Sequence, residues 1–151
     1  MDNCENEKVH SAVKSYYSSL NSTSEIKTSA CSIPQEKIFP YKPYLKNIPC
    51  EIISKFYGCG MPIPFGIKNL TVLDLGCGAG RDCYISSSLV GEQGKVIGVD
   101  MLEKPLEIAR KYAEEYVTKL GYRKSNLHFY QGQSIFYFMF FILHSKNFSL
   151  F

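Results

Sequence analysis

A β-branched, apolar run, Thr71-Val72-Leu73-Asp74-Leu75, passes directly into Gly76-Cys77-Gly78-Ala79-Gly80-Arg81. The run reads as a buried strand, and three glycines in five positions let the chain turn sharply at its carboxyl end. Strands and helices alternate from there on. A helix is expected over about 81–90, closed by Gly91, and the turn Gly91-Glu92-Gln93-Gly94 leads to a second strand, Lys95 to Asp100. A helix over Glu103 to Leu120 comes next, with Pro105 in its first turn and Gly121 at its stop. Its apolar face is Leu106, Ala109, Ala113, Tyr116 or Val117, and Leu120, and its i,i+4 pairs are Glu107 with Lys111 and Glu115 with Lys119. Asn126 to Tyr130 reads as a third strand. Strand–helix–strand–helix–strand implies right-handed crossovers and an α/β fold: a Rossmann-like doubly wound parallel sheet, here incomplete.

The chain divides into three stretches. Residues 1–69 form an N-terminal helical and Pro-rich segment. Val9, Val13, Tyr16, Tyr17 and Leu20 suit one helix face, and Pro34, Pro40, Pro43 and Pro49 exclude a long regular element. A short helix is expected after Pro49, ending at Gly58. Residues 70–132 are the α/β half-domain. Residues 133–151 are a divergent tail holding six of the ten Phe, with nine uncharged apolar or aromatic residues from Ile135 to Leu143. A bilayer span needs about 20, so no stable membrane span is expected. The tail reads as a strand, an interfacial segment or, foremost, an aggregation-prone stretch outside any evolved fold.

Composition narrows the function. At 151 residues, 45% hydrophobic and 21% charged, the chain supports one core and excludes collagen-like and broadly disordered classes. Its net charge of +3 comes from scattered lysines and arginines, so no nucleic-acid partner is expected. The polar N-terminus shows no secretory signal. The six cysteines therefore read as free thiols in a cytoplasmic protein, without zinc-ligand spacing.

Glycines at the carboxyl end of the first strand mark a nucleotide site, and their spacing selects the nucleotide. A dinucleotide GxGxxG would need its third glycine where Arg81 stands. The GxGxG found here, with an acid two residues ahead, resembles the S-adenosylmethionine loop of class I methyltransferases. Asp100 ends the second strand twenty residues after Gly80, where a carboxylate can accept both ribose hydroxyls. The site so read comprises Asp74, Gly76, Cys77, Gly78, Gly80, Asp100 and Met101, with Met101 beside the adenine. Asp74 interrupts a buried strand and so needs a hydrogen-bonded partner.

Tyr57-Gly58-Cys59-Gly60, together with Leu73 to Tyr84 (LDLGCGAGRDCY), resembles the arsenite methyltransferase family. Supporting stretches are Val13 to Tyr17, Leu89 to Gly94 and Val99 to Met101, and the likeness runs over roughly residues 9 to 132. It implies methyl transfer from S-adenosylmethionine to trivalent arsenic held by thiolates, with the arsenic lone pair attacking the methyl group in line. The substrate would be arsenite or an arsenic–thiol conjugate, with a thiol reductant as partner. It implies Cys31 and Cys59 as arsenic-binding thiols and Tyr57 as a tyrosine placed against the cofactor. Arsenic(III) is soft and prefers sulfur. Positioning and thiol exchange then replace proton transfer, and no catalytic acid, base or nucleophile stands out; His10, His128 and His144 are isolated. Cys4, Cys50, Cys77 and Cys83 read as small buried hydrophobes.

The likeness stops at Gly132. The family places further strands and two more arsenic-binding cysteines beyond that point, whereas this chain has no cysteine after Cys83. The expectations are therefore a truncated or alternatively spliced form, an open apolar edge on the first strand, and weak or absent turnover. The alternatives are a non-catalytic metalloid-binding or regulatory fragment, and a class I methyltransferase for another small molecule.

Overall fold

A computed structural model describes residues 11–12, 14–16, 39–56, 61–132, 139–144 and 147–150, the last two stretches as backbone only. The first five of these residues are helical. A 3-10 turn, Phe39–Tyr41, precedes α1 (Lys42–Leu45) and α2 (Cys50–Ser54). Then come β1 (Thr71–Leu75), α3 (Arg81–Val90), β2 (Lys95–Asp100), α4 (Glu103–Lys111), α5 (Ala113–Lys119), β3 (Leu127–Gln131), β4 (Met139–His144) and β5 (Asn147–Leu150). The sheet order is β3-β2-β1-β4-β5.

The first three strands are parallel, with Val72 opposite Val96 and Val96 opposite Leu127. Both crossovers step the same way across the sheet, so with right-handed connections their helices share one face. Burial agrees with that geometry. Val72, Val96, Leu127 and Phe129 alternate along the covered face and meet Tyr84, Ile85, Leu106, Ala109 and Tyr116 from the helices. The ring of Tyr84 stacks edge-on to Tyr116 at 4.7 Å, and its hydroxyl donates to the Ala109 carbonyl at 2.7 Å. Asn126, buried at the mouth of β3, accepts from the Ser87 hydroxyl and donates to the Ser87 and Gly91 carbonyls. The opposite face carries Leu73, Leu75, Ile97 and Val99, all only partly covered.

Five expectations change. The helix expected over Glu103 to Leu120 is two, broken at Tyr112 (φ −105°, ψ −4°). No Gly or Pro announces the break. The Tyr112 hydroxyl donates to the Glu51 carboxylate of α2, and Lys111 donates to the same oxygen at 2.9 Å, so a long-range anchor sits at the joint. The helix after Pro49 ends at Ser54, short of Gly58, and β3 runs one residue later than the apolar pattern suggests. Cys50, read as a small buried hydrophobe, is exposed at the start of α2. Finally, β1 has no open edge: β4 pairs with it antiparallel, Leu73 opposite Phe141, and β5 continues the hairpin. The tail backbone thus belongs to the sheet, which becomes mixed. Among the described residues no helix is long and apolar enough to cross a membrane.

Candidate functional site

Gly76, Gly78 and Gly80 all take positive φ (81°, 55° and 85°), which side-chain-bearing residues adopt at a cost. The loop they form is tied down at both ends. The Gly76 and Cys77 amides donate to the Val99 carbonyl of β2 at 2.8 and 3.1 Å, and the Gly80 amide donates to the Cys77 carbonyl. Around the α-carbon of Gly78 there is open space, with no heavy atom within 4 Å of where a Cβ would stand. Gly80 is different: a Cβ there would meet the Phe129 ring at 2.9 Å, so its bareness serves helix–sheet packing.

Asp100 closes the loop from β2. One carboxylate oxygen accepts the Gly78 amide at 2.8 Å and the other the Leu102 amide at 2.9 Å. Each oxygen keeps a second lone pair, so the carboxylate is held in place with acceptor capacity remaining. Met101 comes next, partly exposed, its carbonyl accepting from the Gln131 amide at 3.3 Å.

Asp74 has the partner its position demands: the Cys83 thiol donates to it at 3.2 Å. Although the residue retains some surface, its carboxyl lies among protein atoms. Burial first, and then the Asp82 carboxylate, push its pKa up to about 7. The Cys83 thiol is pushed well up by burial, next by its contact with Cys77 and by Asp74. At Cys77 the bond with Cys83 lowers the pKa, but burial and the Asp74 and Asp100 carboxylates outweigh it and the net shift is upward. Both thiols therefore stay protonated near neutral pH, poor ligands and poor nucleophiles. Among the described residues no cluster of His, Cys, Asp or Glu is arranged to hold a metal ion.

The fold thus gathers Asp74, Gly76, Cys77, Gly78, Gly80, Asp100 and Met101 at one end of β1 and β2. Tyr57, Cys59 and Cys31, with Cys4, lie outside the described residues. Two further participants fall outside the site expected from sequence. Gly98 sits opposite Asp74 in the ladder, and a Cβ there would lie 2.7 Å from the Phe129 ring and 2.9 Å from the Cys77 sulfur. A lone glycine inside a strand is the signal that could have found it. Arg81, buried to 6% exposure, stacks its guanidinium 3.1 Å over the Phe56 ring and pairs with Asp82 at 2.7 Å. A contact across 25 residues leaves no local trace.

Residues 67–136 match the family described as a methyltransferase domain. The chain is 39% identical to an arsenite methyltransferase of Rattus norvegicus, covering 83% of this chain and 35% of that protein. It is 37% identical to one from Aquipseudomonas alcaligenes, over 82% of this chain and 36% of the relative. Its fold aligns with the crystal structure of an arsenic(III) S-adenosylmethionine methyltransferase from Chlamydomonas reinhardtii at a TM-score of 0.60 and 52% identity, over 62% of this chain and 31% of that one. The chain spans about a third of the length of these proteins.

Proposed function

We propose that this chain belongs to the arsenite methyltransferase family within the class I S-adenosylmethionine-dependent methyltransferases, as its similarities support, and that it binds S-adenosylmethionine at the Gly76–Gly80 loop and brings thiol-held trivalent arsenic to it. The observation that carries the reading is the loop. Three left-handed glycines leave open space over Gly78, directly beside an acceptor-rich Asp100. The cofactor fits this chemistry, because a ligand with a positive sulfonium suits a site where the carboxylates of Asp82 and Asp100 both act on Asp74. When bound, it supplies a methyl group on positively charged sulfur.

The chain's own residues then have distinct tasks. Asp100 accepts the ribose hydroxyls with its remaining lone pairs, Met101 flanks the adenine, and Tyr57 packs against the cofactor. Cys77 and Cys83 pack beneath the loop as protonated thiols. Cys59 and Cys31 are the arsenic-binding thiols, consistent with the preference of soft centres for sulfur. A thiol reductant keeps them reduced, in a cytoplasmic setting where thiols persist.

Calorimetry with S-adenosylmethionine tests the first half. Asp100→Ala should weaken binding about 10- to 100-fold, the loss expected for hydrogen bonds to a charged group. No binding by the wild type sinks the reading. Alkylation of Cys31 and Cys59 with and without arsenite tests the second half. Protection by arsenite is expected; equal reactivity, with cofactor binding intact, would point to a methyltransferase for another small molecule. For these 151 residues assayed alone with arsenite, cofactor and thiol reductant, little methylated arsenic is expected, and appreciable product would overturn that expectation.

A further inference from the structure

Gln131, the last residue of β3, pairs with Asp100, the last residue of β2. The two side chains therefore leave the same face of the sheet, on strands about 4.8 Å apart. Their backbones are fixed together. The Gly132 amide donates to the Asp100 carbonyl at 2.9 Å, and a Cβ on Gly132 would stand 3.0 Å from a Val99 methyl carbon. From this base the Gln131 side chain crosses to the neighbouring strand, where its Nε2 donates to the Met101 carbonyl at 3.3 Å. A peptide carbonyl only accepts, and that settles which way the side-chain amide is turned. The nitrogen end faces Met101 and the oxygen end faces away. Among the described residues nothing donates to that Oε1, and Gln131 is exposed.

The neighbours give this oriented acceptor a use. Asp100 is the residue read as holding the ribose, and Met101 the residue read as flanking the adenine. What marks a purine as adenine is its C6 substituent, an amino donor where guanine and hypoxanthine carry an oxygen acceptor. We infer that Gln131 is a specificity-determining residue of the same site, resting on the cofactor reading above: its Oε1 accepts the 6-amino group of the cofactor's adenine while its Nε2 stays on the Met101 carbonyl. Anchoring one end of the amide is what makes the other end selective. A 6-oxo purine would set two oxygens against each other. Flipping the amide to offer its NH2 group instead would turn the Gln131 oxygen onto the Met101 carbonyl, so the mismatch is moved and not removed. The penalty falls on the wrong base alone.

Calorimetry with S-adenosylhomocysteine and S-inosylhomocysteine tests this, because the second carries an oxygen in place of the 6-amino group. Both are neutral at sulfur, so a charge introduced at position 131 meets no sulfonium. The wild-type chain should bind the adenine form about tenfold more tightly, the loss expected when one polar group is left facing the wrong partner. Gln131→Met should weaken the adenine form and leave the inosine form unchanged, bringing the two affinities to within about twofold. Gln131→Lys still donates to the Met101 carbonyl but offers no acceptor, and should favour the inosine form. Equal affinity of the wild type for both ligands overturns the inference. So does a Gln131→Met variant that weakens both by one factor and keeps the wild-type ratio, since that is the signature of a residue that only holds Met101 in place. Binding without discrimination removes this inference alone, whereas no binding of either ligand by the wild type removes the cofactor reading and this inference with it.

Discussion

At the scale of single residues, the titrating group of most consequence is Asp74. Its folded pKa of about 7 lies above the 3.8 of a free carboxyl, chiefly because burial penalises the charge. Between those values the folded chain holds a proton that the unfolded chain has released. Stability from this group is therefore full below about pH 4 and declines as pH rises towards 7, with a slope of at most about 1.4 kcal/mol per pH unit. Asp74→Asn should remove that slope, read as denaturation midpoints from pH 4.5 to 7.5 (about the window these values define). An identical slope in the variant would show that another group carries it. Affinity for a cationic cofactor should move the opposite way, rising through neutrality as Asp74 ionises, and this gain too should vanish in Asp74→Asn. The need for a partner at Asp74 is legible from sequence, because an acid inside TVLDL has nowhere else to go. That the partner is a thiol is not, since Cys83 reaches back across the loop.

Elements built on local signals are legible almost to the residue: β1, α3 and β2 each begin and end where strand composition, glycine stops and turn residues place them. The break at Tyr112 coincides with Glu51, Lys111 and Tyr112 meeting, which only tertiary structure supplies. The glycines divide along the same line. Gly78 is a conformational glycine: Ala there meets no atom within 4 Å and has only φ +55° to tolerate, costing about 1–2 kcal/mol. Gly98 is a packing glycine. Its φ needs no glycine, but a methyl group would be driven into Phe129 and Cys77, a misfit of about 1–3 kcal/mol in the well-packed layer beneath the loop. Gly98→Ala should therefore lower the melting temperature and also weaken S-adenosylmethionine binding, because Cys77 is part of the loop. Gly78→Ala should affect binding more than melting. Thermal melts and calorimetry on the two variants decide; Gly98→Ala with wild-type melting would contradict the close approach.

For the whole molecule the decisive feature is how β1 is flanked. A central parallel strand with one side unpaired would offer a row of amides and carbonyls to any passing chain. In the sequence, the tail from Ile135 carries no alternation of apolar and polar residues, so it assigns no face and shows no register. The backbone nevertheless places Met139–His144 against Thr71–Leu75, and β5 pairs antiparallel with β4 as a hairpin. The hairpin leaves β1 internal, so the strand that feeds the glycine loop is held from both sides, by β2 and by β4. Removing residues 133–151 should then do two separable things. The β1 amides on the β4 side should exchange with solvent far faster, and the shortened chain should self-associate with rising concentration, because the newly exposed edge is apolar and uncharged apart from Asp74. Hydrogen exchange on Thr71–Leu75 and sedimentation across a concentration series measure the two effects. A shortened chain that stayed monomeric with protected β1 amides would mean that β4 contributes nothing to the sheet, and the site would then rest on β1–β3 and their helices alone.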